Sequence, residues 1–150
     1  MIIEFEVPGE PMGKGRARTV RLKNGMSHSY TPDKTTSYES LIKLCFINAV
    51  GADFIPMTGI FQIDIQAYMA APANKPKQWK VLALLDRVIM PTKKPDWDNI
   101  GKIVSDALNK IAYRDDAAIV DGRVRKFYSE YPRVEIVLRN ITNPDDRWTY

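Results

Sequence analysis

Cysteine and histidine are nearly missing, with one residue of each in 150. A lone Cys45 cannot close an internal disulfide and is read as a buried structural thiol. His28, in a polar stretch, argues against a histidine-based nuclease or a triad hydrolase. Long apolar runs are missing too: Val81 to Leu85 is among the longest, far short of a membrane span. The opening Met1-Ile2-Ile3-Glu4 has neither the basic region nor the apolar core of a signal peptide, so a cytoplasmic, membrane-independent domain is expected. Glycine is sparse, and Gly9, Gly13 and Gly15 do not have the spacing of a phosphate-cradling loop. There is no internal repeat, low-complexity run or linker. Residues 1–150 therefore read as one domain, long enough to bury a core, with a tail from about residue 140 loosely held.

What is present is charge, arranged unevenly. The net charge of +4 is only mildly basic and does not by itself establish a polyanionic partner. Lys14, Arg16, Arg18, Arg21 and Lys23 crowd one short segment, and smaller clusters fall at Lys75, Lys77 and Lys80, at Lys93 and Lys94, and at Arg123, Arg125 and Lys126. Any one of these fits a solvated face. The acids gather elsewhere, as Asp96, Asp98, Asp106, Asp115, Asp116 and Asp121. Basic patches around a knot of carboxylates suit a metal site that admits a polyanion.

Alternation of Ile3, Phe5 and Val7 with Glu4 and Glu6 predicts a first strand over 2–7. Pro8 to Pro11 ends it, and the basic segment follows as a loop or loose hairpin. Tyr38, Leu41, Ile42, Cys45, Phe46 and Ala49 predict a helix over 33–50, capped by Thr31 or Asp33 and stopped by Gly51. A second alternating strand spans 59–69, and 76–85 reads as a short amphipathic helix. The next helix is expected over 98–111, from the stripe Ile100, Ile103, Val104, Ala107, Leu108 and Ile111. A strand start at 118–120 and strands over 123–129 and 133–138 complete one α+β (α/β) domain with a mixed sheet and helices packed on it. Trp148 is a candidate to dock.

The most informative stretch is Lys93-Lys94-Pro95-Asp96-Trp97-Asp98-Asn99-Ile100-Gly101-Lys102, followed by Asp106 and Asp115-Asp116. Pro95 keeps the approach extended, so Asp96 and Asp98 point to one side and Trp97 to the other, toward the core. Asp96 or Asp98 can cap the helix that follows. Lys102 lies one turn beyond Asp98, close enough to touch it, and Asp106 can pair with Lys102 or Lys110. A third carboxylate would come from Asp115 or Asp116, only one of which can face the cluster from an extended segment. Oxygen donors without histidine or cysteine suit Mg²⁺, with Mn²⁺ as substitute, and such a site hydrolyses phosphodiesters. Lys102 would stabilise charge developing on the phosphate. Read individually, the same residues also fit helix capping, a turn and a surface ion pair.

Lys94-Pro95-Asp96-Trp97-Asp98-Asn99-Ile100 with Lys102, then Asp106-Ala107-Leu108, then Asp115-Asp116, resembles the central signature of the RusA family of Holliday-junction resolvases. Pro11 followed by Lys14, Arg16 and Arg18, and then Tyr30-Thr31-Pro32 with Thr35 and Tyr38, is similar to the phage and prophage branch of that family. The resemblance implies a small homodimer that binds four-way DNA junctions and nicks two opposing strands with Mg²⁺, in recombination and repair. It implies Asp96, Asp98 and Asp116 as metal ligands, Lys102 as the essential lysine, and Asn99, Asp115 and Asp106 in support. Lys14, Arg16, Arg18, Lys93 and Lys94 are the expected DNA contacts. Trp97 stands where an aliphatic residue is more usual. Two other function classes remain: a branched-DNA binding protein without cutting, and a Mg²⁺-dependent hydrolase of nucleotides or other phosphoesters.

Overall fold

The computed structural model describes residues 1–143 and Asp145. Strand β1 (Ile2–Pro8) opens the chain, and β2 (Arg18–Arg21) and β3 (Ser27–Tyr30) form a separate hairpin. Helix α1 (Asp33–Val50) leads to β4 (Phe61–Ala70). One helical turn, α2 (Lys77–Lys80), then runs into a π turn at Val81–Leu85. Helix α3 (Trp97–Leu108) is followed by a 3₁₀ turn at Asp116–Ala118 and by strands β5 (Ile119–Ser129) and β6 (Arg133–Asn140). The four-stranded sheet has the order β1-β6-β4-β5, with only the β4–β5 pair parallel. The fold is the expected α+β arrangement on a mixed sheet.

Alternation decides which face is dry. Ile3, Phe5 and Val7 lie beside Leu138, Ile136 and Val134, which in turn oppose Ile63, Ile65 and Ala67. Helices α1 and α3 cover this face, burying Tyr38, Ile42 and Phe46 from one and Ile100, Ile103, Val104, Ala107 and Leu108 from the other. Phe46 meets the rings of Phe5 and Phe54 edge-on, at 5.7 and 5.3 Å. The opposite face is polar, yet Gln62 and Asp64 are buried there because β4 is central. Arg125 donates two bonds to Asp64, at 2.7 and 2.6 Å, and Gln62 donates to Asp121 at 2.6 Å, so both buried polar groups are satisfied.

Several local expectations change. Helix α1 carries no side-chain cap: Pro32 occupies the capping position, its fixed φ of −58° leading into the helix. Ala49 is exposed and Cys45 only half-buried, though burial still pushes its thiol upward. The expected helix over 76–85 divides into an α turn and a π turn, where Asp86 N–H reaches back to Val81. Helix α3 stops at Leu108 rather than residue 111, because Asn109 turns extended and Lys110 has a left-handed φ of 67°. The two strand pieces over 118–129 are one strand, β5. The tail is held at its start: Ile141 is buried and donates to Ile60 at 2.7 Å, and Thr142 Oγ1 accepts from Ile60 N–H at 3.1 Å. Trp148 lies outside the described residues.

Candidate active site

Helix α3 begins one residue earlier than expected, and this sets the geometry of the aspartates. Asp96 is the N-cap residue, extended at φ −70° and ψ 149°, and its carbonyl accepts from Ile100 N–H at 3.1 Å. Its side chain makes no cap bond and is instead paired with Lys94. Asp98 falls in the first turn, where the helix end favours negative charge, and its Oδ1 accepts from Asn99 N–H at 2.9 Å. Trp97 does not enter the core. As the first residue of the helix it stands a turn before the buried Ile100, and it is 64% exposed.

Two clefts meet at this helix end, and Trp97 and Asp98 border both. One is lined by Asp96, Asp98, Lys93 and Lys126. The other is lined by Asp98, Ser105, Asp116 and Arg123, over Ile63 and Ile65 of the sheet. Asp115 is extended and caps the 3₁₀ turn, accepting from Ala117 N–H at 2.9 Å, while Asp116 enters the cleft half-buried. So one of the two neighbouring aspartates turns toward Asp98, through a 3₁₀ turn rather than an extended segment. Asp96, Asp98 and Asp116 are not gathered into one compact cluster. Among the described residues no three histidine, cysteine, aspartate or glutamate side chains converge closely enough to hold a metal ion by themselves.

The lysines divide differently from expectation. Lys102 does not touch Asp98; it turns one helical turn onward, to Asp106 at 3.4 Å, and lines neither cleft. Lys126 does line the cleft of Asp96 and Asp98, with its ammonium donating to the Lys93 carbonyl at 2.6 Å. Partial burial lowers the pKa of Lys126; Asp96 opposes that shift and Lys94 adds to it. Sequence reasoning noted Lys126 only within a basic cluster and the family resemblance. The missed signal is its register: Gly122, Val124, Lys126 and Tyr128 oppose Ile63, Ile65, Ala67 and Met69 on the helix-covered face, where a lysine is out of pattern.

Lys14 is committed inside the molecule. Its ammonium pairs with Glu39 of α1 and with Asp106 of α3, the latter at 3.0 Å. Its backbone N–H donates to the Asn99 carbonyl at 2.9 Å, and Gly15 N–H donates to Thr35 Oγ1 at 3.2 Å. Gly13 lies so close that a Cβ there would come within 2.9 Å of Asn99. Residues 13–15 thus strap the site helix to α1. Asp106 anchors the strap, and the buried Tyr113 hydroxyl bonds to Ser105 O at 2.9 Å beside it. Arg16, Arg18 and His28 are exposed, the last two on the β2–β3 hairpin; Lys93 and Lys94 are exposed at the mouth of the Asp96 cleft.

Residues 8–139 match the model of the family described as Endodeoxyribonuclease RusA. The chain is also 36% identical over 144 residues to a Bacillus subtilis (strain 168) protein described as "Uncharacterized protein YqaN", covering 93% of this chain and 97% of that one. No helix among the described residues is long and apolar enough to cross a membrane. With the family match spanning both clefts, the chain belongs to the RusA family of endodeoxyribonucleases, hydrolases that resolve Holliday junctions.

Proposed function

We propose that the two clefts at the N-terminus of α3 form one Mg²⁺-dependent active site that hydrolyses phosphodiesters at four-way DNA junctions. The observation carrying this reading is Asp98, which borders one cleft with Asp96 and the adjoining one with Asp116. The donor set fits a hard cation, because both clefts offer carboxylate oxygens and neither is lined by histidine or cysteine. Asp116 is half-buried and its side chain has no hydrogen bond or ion pair among the described residues, leaving its oxygens available. Asp96, Asp98 and Asp116 would hold the ion, with the positions they leave open taken by water and substrate phosphate. Bound there, Mg²⁺ would polarise the phosphoryl oxygen and lower the pKa of a coordinated water.

The chain's own groups do the rest. Lys126, fixed by the Lys93 carbonyl at the cleft wall, supplies a cation toward the phosphate. Lys102, exposed and only loosely tied to Asp106, is free to swing toward a bound strand. Arg16, Arg18, Lys93 and Lys94 supply sequence-independent phosphate contacts, the first two from an exposed arm. Asn99, Asp115 and Asp106 act in support: Asp115 shapes the turn that delivers Asp116, and Asp106 with the Asn99 carbonyl anchors the strap. Lys14 belongs to that strap. A junction presents two equivalent scissile strands, so a two-fold homodimer matches the substrate. The setting is the cytoplasm of a bacterium, with a phage or prophage origin.

The test is cleavage of a labelled synthetic four-way junction in Mg²⁺ by the native protein and by Asp98→Asn, with duplex as competitor. Paired symmetric nicks lost in the variant, with junction binding retained, are the expected result. Tight binding without nicks by either protein, in Mn²⁺ as well, would leave a junction-binding protein. Equal competition by duplex would remove structure selectivity.

A further inference from the structure

A second groove, of about 420 Å³, lies beyond the active site where α2 and the π turn fold over the end of β5. Its floor and walls are apolar and aromatic, with Leu84, Leu85, Tyr68, Tyr128 and Tyr131 among them. Tyr131 and Leu85 are 76% and 75% exposed, large apolar surfaces left to solvent. The rim carries Lys77, Lys80, Arg87 and Arg133 with one acid, Glu130, and of these cations Arg133 is already paired with Glu135, at 2.9 Å, and with Glu6. Lys77 and Lys80 make no ion pair among the described residues. The local backbone is unusual as well. Arg87 follows the π turn in the left-handed region, at φ 54°, with its guanidinium 4.4 Å from the Phe127 ring. Strained non-glycine residues and π turns concentrate at binding sites.

Charge and aromatic surface say what this chemistry is for. Tyr128, which borders the groove, lies two residues along β5 from Lys126 in the active-site cleft, about 7 Å, while Tyr68, Ser129 and Arg133 line the groove from the opposite, polar face of the sheet. We propose that the groove receives an unstacked base of DNA bound across the active-site cleft. Tyr131 and Leu85 cover the base face, and Lys77 and Lys80 hold its phosphate. A planar apolar ring with an attached anion is the ligand this combination suits, and strands at a junction's crossing point can release a base at less cost than an intact duplex. The groove would thereby set which sequence is cut. This rests on the endonuclease reading for the identity of the strand, but not for the existence of the pocket.

The experiment is an abasic scan. Single abasic sites are moved through each strand around the crossing point of a synthetic junction. Affinity is measured without divalent metal, so no cutting intervenes, for the native protein and for a Tyr131→Ala, Lys80→Gln variant. The native protein is expected to lose about tenfold in affinity at one or two adjacent positions, as for one base stacked on an aromatic side chain. The variant is expected to bind the intact junction about tenfold more weakly and to be indifferent to abasic sites there. Equal penalties in both proteins, or no sensitive position, would overturn the proposal. So would a variant that light scattering shows to be smaller than the native species, since the groove would then be a contact between copies. Cleavage in Mg²⁺ is scored separately: sensitivity to abasic sites without cleavage would fail the endonuclease reading while leaving the groove assigned.

Discussion

Replacing Lys14 by methionine separates two roles for a basic residue in the N-terminal segment. Methionine preserves most of the apolar stem and removes the ammonium that joins Glu39 to Asp106. The three side chains are 21%, 17% and 22% exposed, between a surface pair and a buried one. Exposed pairs contribute up to about 1 kcal/mol, while breaking a buried pair costs about 3–5 kcal/mol. The expected loss is about 2 kcal/mol, because Glu39 loses its ammonium partner, Asp106 keeps only the more exposed Lys102, and the strap loosens from α1 and α3. At this chain length that lowers Tm by about 4–8 °C. Burial opposes the charge on Lys14, but Glu39 and Asp106 outweigh it and raise its pKa. A raised lysine pKa gives stability that is fully present below the unfolded value, about 10.4, and is lost as pH rises through the folded one. The difference between native and variant should therefore hold through neutral and mildly alkaline pH and close only above about pH 10.4. Thermal melts across pH, with junction affinity measured against salt, check both sides. A phosphate contact would remove about 0.9 from the slope of log affinity against log salt. An unchanged Tm with that drop in slope would refute the strap and return Lys14 to the DNA.

Three further outcomes are expected. Arg125→Met leaves the buried Asp64 carboxylate without its two hydrogen bonds and should cost about 3 kcal/mol in urea unfolding, with Asp64→Asn in the same chain recovering part of it. Gly59→Ala should cost 2 kcal/mol or more, on the order of a strained backbone plus a clash, because φ is +131° and the new Cβ would fall 2.1 Å from Thr142 Oγ1; an unchanged melt would mean that residues 140–142 do not pack as described. Lys126→Met should slow junction cleavage about 10²-fold while junction affinity stays within about twofold, the pattern for a group acting in the transition state. A loss confined to binding would make Lys126 an ordinary DNA contact.

Much of the architecture could be read locally. The helix stripe from Ile100 to Leu108 and the alternation of Val134, Ile136 and Leu138 are periodic, and periodicity depends only on near neighbours. Element ends were less legible, since helix α3 stops where Lys110 adopts a left-handed φ, and the 76–85 helix changes register in its middle. Central burial of Gln62 and Asp64 was also invisible, because alternation marks one face as wet while β6 and β5 flank β4 on both sides.

By itself the sequence determined the fold class, the family signature and the placement of Asp96 and Asp98 at the start of one helix, all of which follow from spacing along the chain. Only the tertiary structure decided which charges meet. It set Asp116 on the same cleft as Asp98, delivered Lys126 from β5 to the Asp96 cleft, turned Lys14 inward onto Glu39 and Asp106, and left Trp97 in solvent. The physical reason is range. Helical and strand periods are set over a few residues, whereas a long charged side chain chooses among partners 25 to 92 positions away, as Lys14 does with Glu39 and Asp106, and the packing of whole elements makes that choice.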